Sequence, residues 1–120
     1  MPEPSPERSL LIVMPVFNDW EPLQKLLDMI DAVLADMNVR AKILLIDDAS
    51  SERPNVPAMR RKYVSLVELH LLSLRRNLGH QRAIAIGLAF ANDHIQAEQI
   101  IIMDADGQDS PEDFVKLFSQ

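Results

Sequence analysis

One stretch of the sequence decides the fold: Ile100-Ile101-Ile102-Met103-Asp104-Ala105-Asp106-Gly107. Its four apolar residues predict a buried β-strand, and two carboxylates follow where that strand must end. Gly107 permits a sharp turn, and Ser110 followed by Pro111 is typical of a helix start. Ligands of open parallel sheets bind at the carboxyl ends of the strands, so we expect Asp104 and Asp106 to face a crevice.

The two carboxylates of this turn also predict a metal. Carboxylates held so close repel each other unless a cation or a proton lies between them, and hard oxygen ligands suit magnesium or manganese. An acidic triplet alone is common in loops without any such role. Its position directly after an apolar strand favours the metal interpretation.

Composition bounds the class of protein. A chain of 120 residues with 48% hydrophobic residues is enough for one domain, and no charge-free apolar run approaches the roughly 20 residues that span a bilayer. The net charge of -6 argues against nucleic-acid binding, and the absence of cysteine excludes disulfides and a thiol nucleophile. We expect a disordered lead over residues 1–8, a folded part over residues 9–120, and a cytoplasmic location.

The periodicity of apolar residues alternates between strands and helices. We predict strands over residues 9–13, where Pro15 stops the apolar run, and over 41–46, 67–74 and 100–103. We predict helices after a cap at Asn18 or Asp19 and over residues 58–63, 83–91 and 111–118. The helix over 83–91 is apolar nearly all round and is expected to be buried, with Gly87 close to the sheet. This order implies an α/β sheet with right-handed crossovers.

Polar groups follow three of these strands, over residues 15–19, 47–50 and 104–108. Together they offer acceptors for a nucleobase or ribose, while Arg75, Arg76 and Arg82 are candidates for phosphate contacts. Neither G-x-G-x-x-G nor G-x-x-x-x-G-K-[ST] is present, so a diphosphate would have to be neutralised mainly by the metal.

Four motifs in this order resemble those of the family-two glycosyltransferases with the GT-A fold: Pro15-Val16-Phe17-Asn18, Asp47-Asp48-Ala49-Ser50, Asn77-Leu78-Gly79, and Asp104-Ala105-Asp106-Gly107-Gln108 through Pro111-Glu112. Within that family they are most similar to the polyprenyl-phosphate sugar transferases, and the resemblance extends over residues 10–112. It implies a Rossmann-like half of the GT-A fold, with a mostly parallel four-stranded sheet flanked by helices in strand order 3-2-1-4.

The resemblance also implies site roles. The nucleotide would be bound by Pro15, Phe17, Asn18, Asp47 or Asp48, Arg76 and Asp104, and Mg²⁺ or Mn²⁺ by Asp104, Asp106 and Gln108. The implied reaction transfers a sugar from a UDP- or GDP-sugar to an acceptor, with polyprenyl phosphate the expected one at the cytoplasmic face of a membrane.

The resemblance implies a longer protein. The catalytic base is expected beyond Gln120, in an acceptor half that this chain would lack, so we predict that the chain alone does not turn over substrate. An incomplete sheet would leave an apolar edge exposed, which predicts self-association.

Two other classes of protein share part of this pattern. A haloacid-dehalogenase-like phosphatase also begins with an acidic triplet after a strand, but Gln108 stands where threonine is usual and the motif comes last in the chain. A non-catalytic receiver-like, nucleotide-binding or interaction domain could have the same sheet. A receiver, however, needs an aspartate at the end of the third strand, and residues 67–74 supply none.

Overall fold

The computed structural model of the protein describes residues 9–104, which form one parallel sheet flanked by helices. The elements in chain order are β1 (Leu10–Val16), α1 (Trp20–Asp36), β2 (Ala41–Asp47), α2 (Val56–Lys62), β3 (Leu66–Ser73), α3 (His80–His94) and β4 (Gln99–Ile102). All neighbouring strands pair in parallel, in the order β3-β2-β1-β4, which confirms the predicted sheet. The predicted lead over 1–8, the helix over 111–118, Asp106 and Gln108 lie outside the described residues.

The core has two layers because β1 is buried on both faces. Leu10, Ile12 and Met14 face the layer formed with α1, whose buried stripe is the one expected from its apolar spacing. Leu11 and Val13 face the layer formed with α3. A strand covered on both faces has no polar alternation, and this is why β1 appears in the sequence as a continuous apolar run. No helix within residues 9–104 has both the length and the apolar character needed to cross a membrane.

The prediction that Pro15 stops the first strand is wrong, since β1 continues through it to Val16. The Val16 carbonyl accepts the Asp48 N–H at 2.8 Å on the β2 side, and the Val13 carbonyl accepts the Met103 N–H at 3.0 Å on the β4 side. Backbone groups alternate sides along a strand, so Pro15 faces β4. The β4 ladder ends at the pair Val13 and Ile102, and the missing N–H of Pro15 therefore costs no sheet hydrogen bond.

The prediction that the third helix is buried nearly all round is also wrong. Only the stripe Ala83, Gly87 and Ala91 of α3 is buried, and Ile86 on another face is 38% exposed. The close approach expected at Gly87 is confirmed, because a Cβ placed there would overlap the side chain of Ile46. Small residues bring α3 against β1 and β2, and Leu88 and Phe90 of the same helix are half-buried against this layer.

The last strand was predicted to be buried, and this too is wrong. Ile100 and Ile102 of β4 are each 46% exposed, whereas their partners Leu11 and Val13 on β1 are fully buried. The reason is that α3 lies over β1 and β2, and β4 is an edge strand of the sheet within residues 9–104. The other edge strand, β3, has the edge position that its polar residues predicted.

Candidate functional site

The candidate site lies at the carboxyl ends of β1, β2 and β4. Phe17 and Asn18 follow β1, Asp47 ends β2, and Asp104 comes two residues after β4. Because β1 lies between β2 and β4, the residues that follow these three strands are neighbours along the carboxyl ends of the strands, which we call the carboxyl edge of the sheet. Phe17 is 41% exposed there, while Pro15 is buried inside β1.

Asn18 ties the loop after β1 to the loop after β2. Its side-chain Oδ1 accepts hydrogen bonds from the N–H of Ser51 at 2.9 Å, the hydroxyl of Ser51 at 3.2 Å and the N–H of Glu52 at 3.4 Å. Its own N–H donates to the Ser50 hydroxyl at 2.8 Å. Asn18 has a positive φ of 61°, and the cap position of α1 is occupied by Asp19, without a side-chain hydrogen bond. The side-chain oxygen of Asn18 is therefore used to hold the two loops together.

Trp20 strengthens the same connection. Its side chain is 5% exposed, and its Nε1–H donates to the Glu52 carbonyl at 3.0 Å. Together with the Asn18 contacts, this hydrogen bond fixes the start of α1 against the loop after β2.

Asp47 closes the turn after β2. Its Oδ1 accepts the N–H of Ser50 at 2.8 Å, and the residue is 7% exposed. Between them Ala49 has a φ of 62°, a left-handed conformation that costs a residue with a side chain free energy. The turn thus holds a strained alanine beside an aspartate that is almost completely buried.

Asp48, the next residue, is completely buried. Its two carboxylate oxygens accept the backbone N–H groups of Leu78 at 2.7 Å and Gly79 at 2.9 Å. In return, the side-chain amide of Asn77 donates to the Asp48 carbonyl at 3.2 Å. The two predicted alternatives, Asp47 and Asp48, therefore have different surroundings, and Asp48 is bound to the loop between β3 and α3.

Asp104 lies opposite the first turn of α3. Its side chain is 51% exposed, and its Oδ1 lies 3.9 Å from Nδ1 of His80, the first residue of α3. Within residues 9–104 no three His, Cys, Asp or Glu side chains are grouped closely enough to hold a metal ion. The described part of the chain thus supplies one accessible carboxylate at the expected place, a hard oxygen ligand of the kind that Mg²⁺ and Mn²⁺ bind.

The predicted phosphate-binding arginines lie beyond the end of β3. Arg75 and Arg76 are exposed in the bend that leads to Asn77, and neither forms an ion pair within the described range 9–104. They are on the same carboxyl side of the sheet as Asp47 and Asp104, but at the β3 end of the row of strands.

A cavity of about 760 Å³ lies at the opposite ends of the strands. It is lined by residues that include Ser9, Lys42, Gln96, Glu98 and Ile100. None of the predicted site residues borders it. The volume of this cavity alone is therefore no reason to assign the candidate site to it instead of to the carboxyl ends of the strands.

Two features of the site could not be found from the sequence. His80 begins α3, and it also lies beside Asp104, which follows it by 24 positions in the chain. The pairing of Asp48 with Leu78 and Gly79 joins residues about thirty positions apart, and no local pattern indicates it. The sequence indicates that both loops are polar, but it does not indicate how far apart they lie.

The chain was compared with known protein families and proteins. The model of the family described as Glycosyl transferase family 2 matches residues 11–120. An undecaprenyl-phosphate 4-deoxy-4-formamido-L-arabinose transferase of Klebsiella pneumoniae subsp. pneumoniae is 32% identical over 117 residues, which are 96% of this chain and 34% of the relative. The transferase of the same name from Salmonella dublin is 31% identical over 118 residues. The chain thus spans about a third of the length of these relatives.

Solved structures give the same fold. The 1–349 fragment of S. aureus TarS superposes with a TM-score of 0.60 at 15% identity, covering 82% of this chain and 27% of that one. The same fragment in complex with UDP superposes with a TM-score of 0.59, covering 92% of this chain and 32% of that one. At such low identity these matches support the fold alone.

Proposed function

Because the chain belongs to glycosyl transferase family 2, we propose that it is the donor-binding part of a sugar transferase that uses a UDP- or GDP-sugar. The observation that carries the proposal is the position of Phe17, Asp47 and Asp104 at the carboxyl ends of three adjacent parallel strands. An aromatic face, an aspartate at the end of β2 and a second carboxylate after β4 suit a nucleobase, a ribose and a metal-bound diphosphate respectively. Family membership favours this activity over the phosphatase and receiver-like alternatives.

The individual roles follow from exposure. Phe17 is exposed enough to pack against the base. Pro15 lies two residues earlier in β1 and is buried. Asp47 accepts a hydrogen bond from the base or ribose, and Asn18 keeps the two surrounding loops in place. Arg76 is exposed after β3 and is the candidate for a phosphate contact.

The metal is proposed from the donor set. Asp104 would bind Mg²⁺ or Mn²⁺ together with Asp106 and Gln108, which lie outside the described residues. Such an ion stabilises the negative charge of a departing diphosphate. The part played by this chain is to bind and orient the nucleotide and to place carboxylate oxygens near its phosphates.

The acceptor and the location are proposed from the relatives. Undecaprenyl phosphate is in the names of the two transferases described above, so a polyprenyl phosphate at the cytoplasmic face of a membrane is the acceptor class we favour. We expect the catalytic base beyond Gln120, and hence no turnover by residues 1–120 alone.

Isothermal titration calorimetry with UDP and GDP, each with and without Mn²⁺, tests the donor site. We expect binding that depends on Mn²⁺ and that is lost in Asp106→Ala. Asp93→Ala is the matched control, because Asp93 is an exposed aspartate near the far end of α3. If neither nucleotide binds in the presence of Mn²⁺, or if both aspartate variants behave alike, the proposal is wrong.

We also propose that the chain self-associates through β4. Ile100 and Ile102 expose apolar surface at this edge. At the opposite edge, Nε of Arg60 donates to the Leu69 carbonyl of β3 at 2.9 Å, which occupies a backbone group that could otherwise pair with another strand. Size-exclusion chromatography with light scattering should show dimers that increase with concentration and are absent in Ile100→Lys. A monomer at every concentration would exclude self-association.

A further inference from the structure

The side chain of Ser50 connects the turn after β2 to the residue that follows Phe17. Its Oγ accepts the N–H of Asn18 at 2.8 Å, across 32 positions of the chain. The N–H of Ser50 itself donates to Oδ1 of Asp47 at 2.8 Å, which fixes the serine within its own turn. Ser50 is therefore held by one loop of the candidate site and binds the backbone of the other.

The N–H that Ser50 accepts belongs to the peptide group between Phe17 and Asn18. Because that group is planar, a hydrogen bond to it limits rotation of the backbone on the carboxyl side of Phe17. Phe17 is 41% exposed, and within residues 9–104 neither core layer includes it. The position of the Phe17 ring thus depends on how its own backbone is held, and the Ser50 hydroxyl is a group that holds it.

The backbone is unusual on both sides of this hydrogen bond. Asn18 has a φ of 61°, and Ala49, the residue before Ser50, has a φ of 62°. Within residues 9–104 three non-glycine residues have a positive φ, and two of them are at this contact. Left-handed conformations cost free energy and persist where surrounding contacts hold them, most often at ligand-binding sites. The two loops are therefore held in one specific arrangement at the place where Phe17 is exposed.

We propose that Ser50 is a positioning residue of the donor site, an inference that rests on the function proposed above. Its hydroxyl holds the peptide group after Phe17, so that the ring is directed toward the nucleobase. It acts through Phe17 and makes no contact with the nucleotide. A side chain that is already oriented loses less conformational entropy on binding, so removal of the Ser50 hydroxyl weakens binding by an amount that depends on the Phe17 ring.

Three variants separate the hydroxyl of Ser50 from other effects of substitution. Ser50→Ala removes the acceptor for the Asn18 N–H, whereas Ser50→Thr keeps a hydroxyl at the same position. Ser73→Ala is the matched control, because Ser73 is an exposed serine that ends β3 on the same carboxyl edge.

Amide hydrogen exchange of the nucleotide-free chain is the first measurement. We expect the Asn18 N–H to exchange about fivefold faster in Ser50→Ala and at the wild-type rate in Ser50→Thr and Ser73→Ala. An unchanged rate in Ser50→Ala would overturn the proposal, because the hydrogen bond would then not hold this peptide group.

Calorimetric titration with UDP and GDP in the presence of Mn²⁺ is the second measurement. Ser50→Ala should lower the affinity for the nucleotide that binds about fivefold, while Ser50→Thr and Ser73→Ala should retain the wild-type affinity. No loss in Ser50→Ala, or an equal loss in Ser50→Thr, would overturn the proposal.

The same titration in the Phe17→Leu background distinguishes positioning from direct contact and from a general loss of stability. Leucine removes the aromatic face, so we expect that adding Ser50→Ala to Phe17→Leu causes no further loss of affinity. Additive losses would overturn the proposal. If the wild-type chain binds neither nucleotide, the proposed function is refuted and this inference with it. If the wild type binds and Ser50→Ala binds equally well, this inference alone is refuted.

Discussion

The contact between α3 and the sheet at Gly87 allows a prediction whose sign is decided by the structure. A Cβ placed at Gly87 would overlap Cδ1 of Ile46, lie 2.8 Å from Cγ1 of the same side chain, and lie 3.7 Å from Cδ2 of Leu44. Ile46 is fully buried, so its side chain cannot swing into solvent to make room. Gly87→Ala therefore forces α3 away from the sheet.

The magnitude follows from two opposing terms. Overpacking a buried contact costs about 1 to 3 kcal/mol. Alanine in place of glycine inside a helix stabilises it by about 1 kcal/mol. We expect a net decrease of about 1 kcal/mol in the free energy of unfolding, which lowers the Tm by roughly 4 °C.

Urea denaturation followed by circular dichroism measures this difference. Ala85→Gly on the exposed side of α3 is the control, and should lower the free energy of unfolding by about 1 kcal/mol through helix propensity alone. If Gly87→Ala stabilises the protein by the amount that Ala85→Gly destabilises it, there is free space at Gly87 and the packing argument is refuted.

Three further predictions concern single side chains. Asp31→Ala removes the acceptor for the buried Ser65 N–H and its neighbours, and should lower the free energy of unfolding in urea by about 2 kcal/mol; a change under 0.5 kcal/mol would refute a structural role. Ala49→Gly relieves the left-handed strain at φ 62° and should raise the same free energy by about 0.5 to 1 kcal/mol, whereas a decrease would mean that the turn is not strained. Burial, then the hydrogen bond to Asp28, raises the pKa of the Tyr63 hydroxyl above its ordinary value of 10.0. The stabilisation that the protonated Tyr63 hydroxyl provides is therefore complete below about pH 10 and is lost as the pH rises through the raised pKa. Above pH 10, the free energy of unfolding in urea should fall more steeply with pH in the wild type than in Tyr63→Phe. Equal slopes would contradict this.

The sequence predicts the order of elements well, because that order depends on patterns that local residues carry. The strand order was implied by the family resemblance, and the structure confirms it. The apolar stripe of α1 can be identified from the sequence alone, and so can the carboxylates that follow two of the predicted strands. Errors occur where burial depends on a distant element. Ile100 and Ile102 form the same kind of apolar run as β1, yet they are exposed because α3 lies over other strands.

The candidate site is predictable in place but not in detail. The carboxyl ends of parallel strands meet at one edge, and this brings the loops after β1, β2 and β4 together. The use of each polar side chain depends on contacts between loops. Asn18 and Asp48 have residue types suited to nucleotide binding, but the structure engages Asn18 Oδ1 and the Asp48 carboxylate in hydrogen bonds between loops.

The central claim is that the carboxyl edge of the sheet binds a nucleotide, and chemical-shift mapping of the isotope-labelled chain with UDP or GDP and Mg²⁺ tests it most directly. We predict that the largest shifts in backbone amide signals occur at residues 17–19, 47–50 and 104. The cavity lined by Ser9, Lys42 and Glu98 at the opposite edge serves as an internal reference and should show none. Shifts concentrated around that cavity, or no shifts with either nucleotide, would contradict the account.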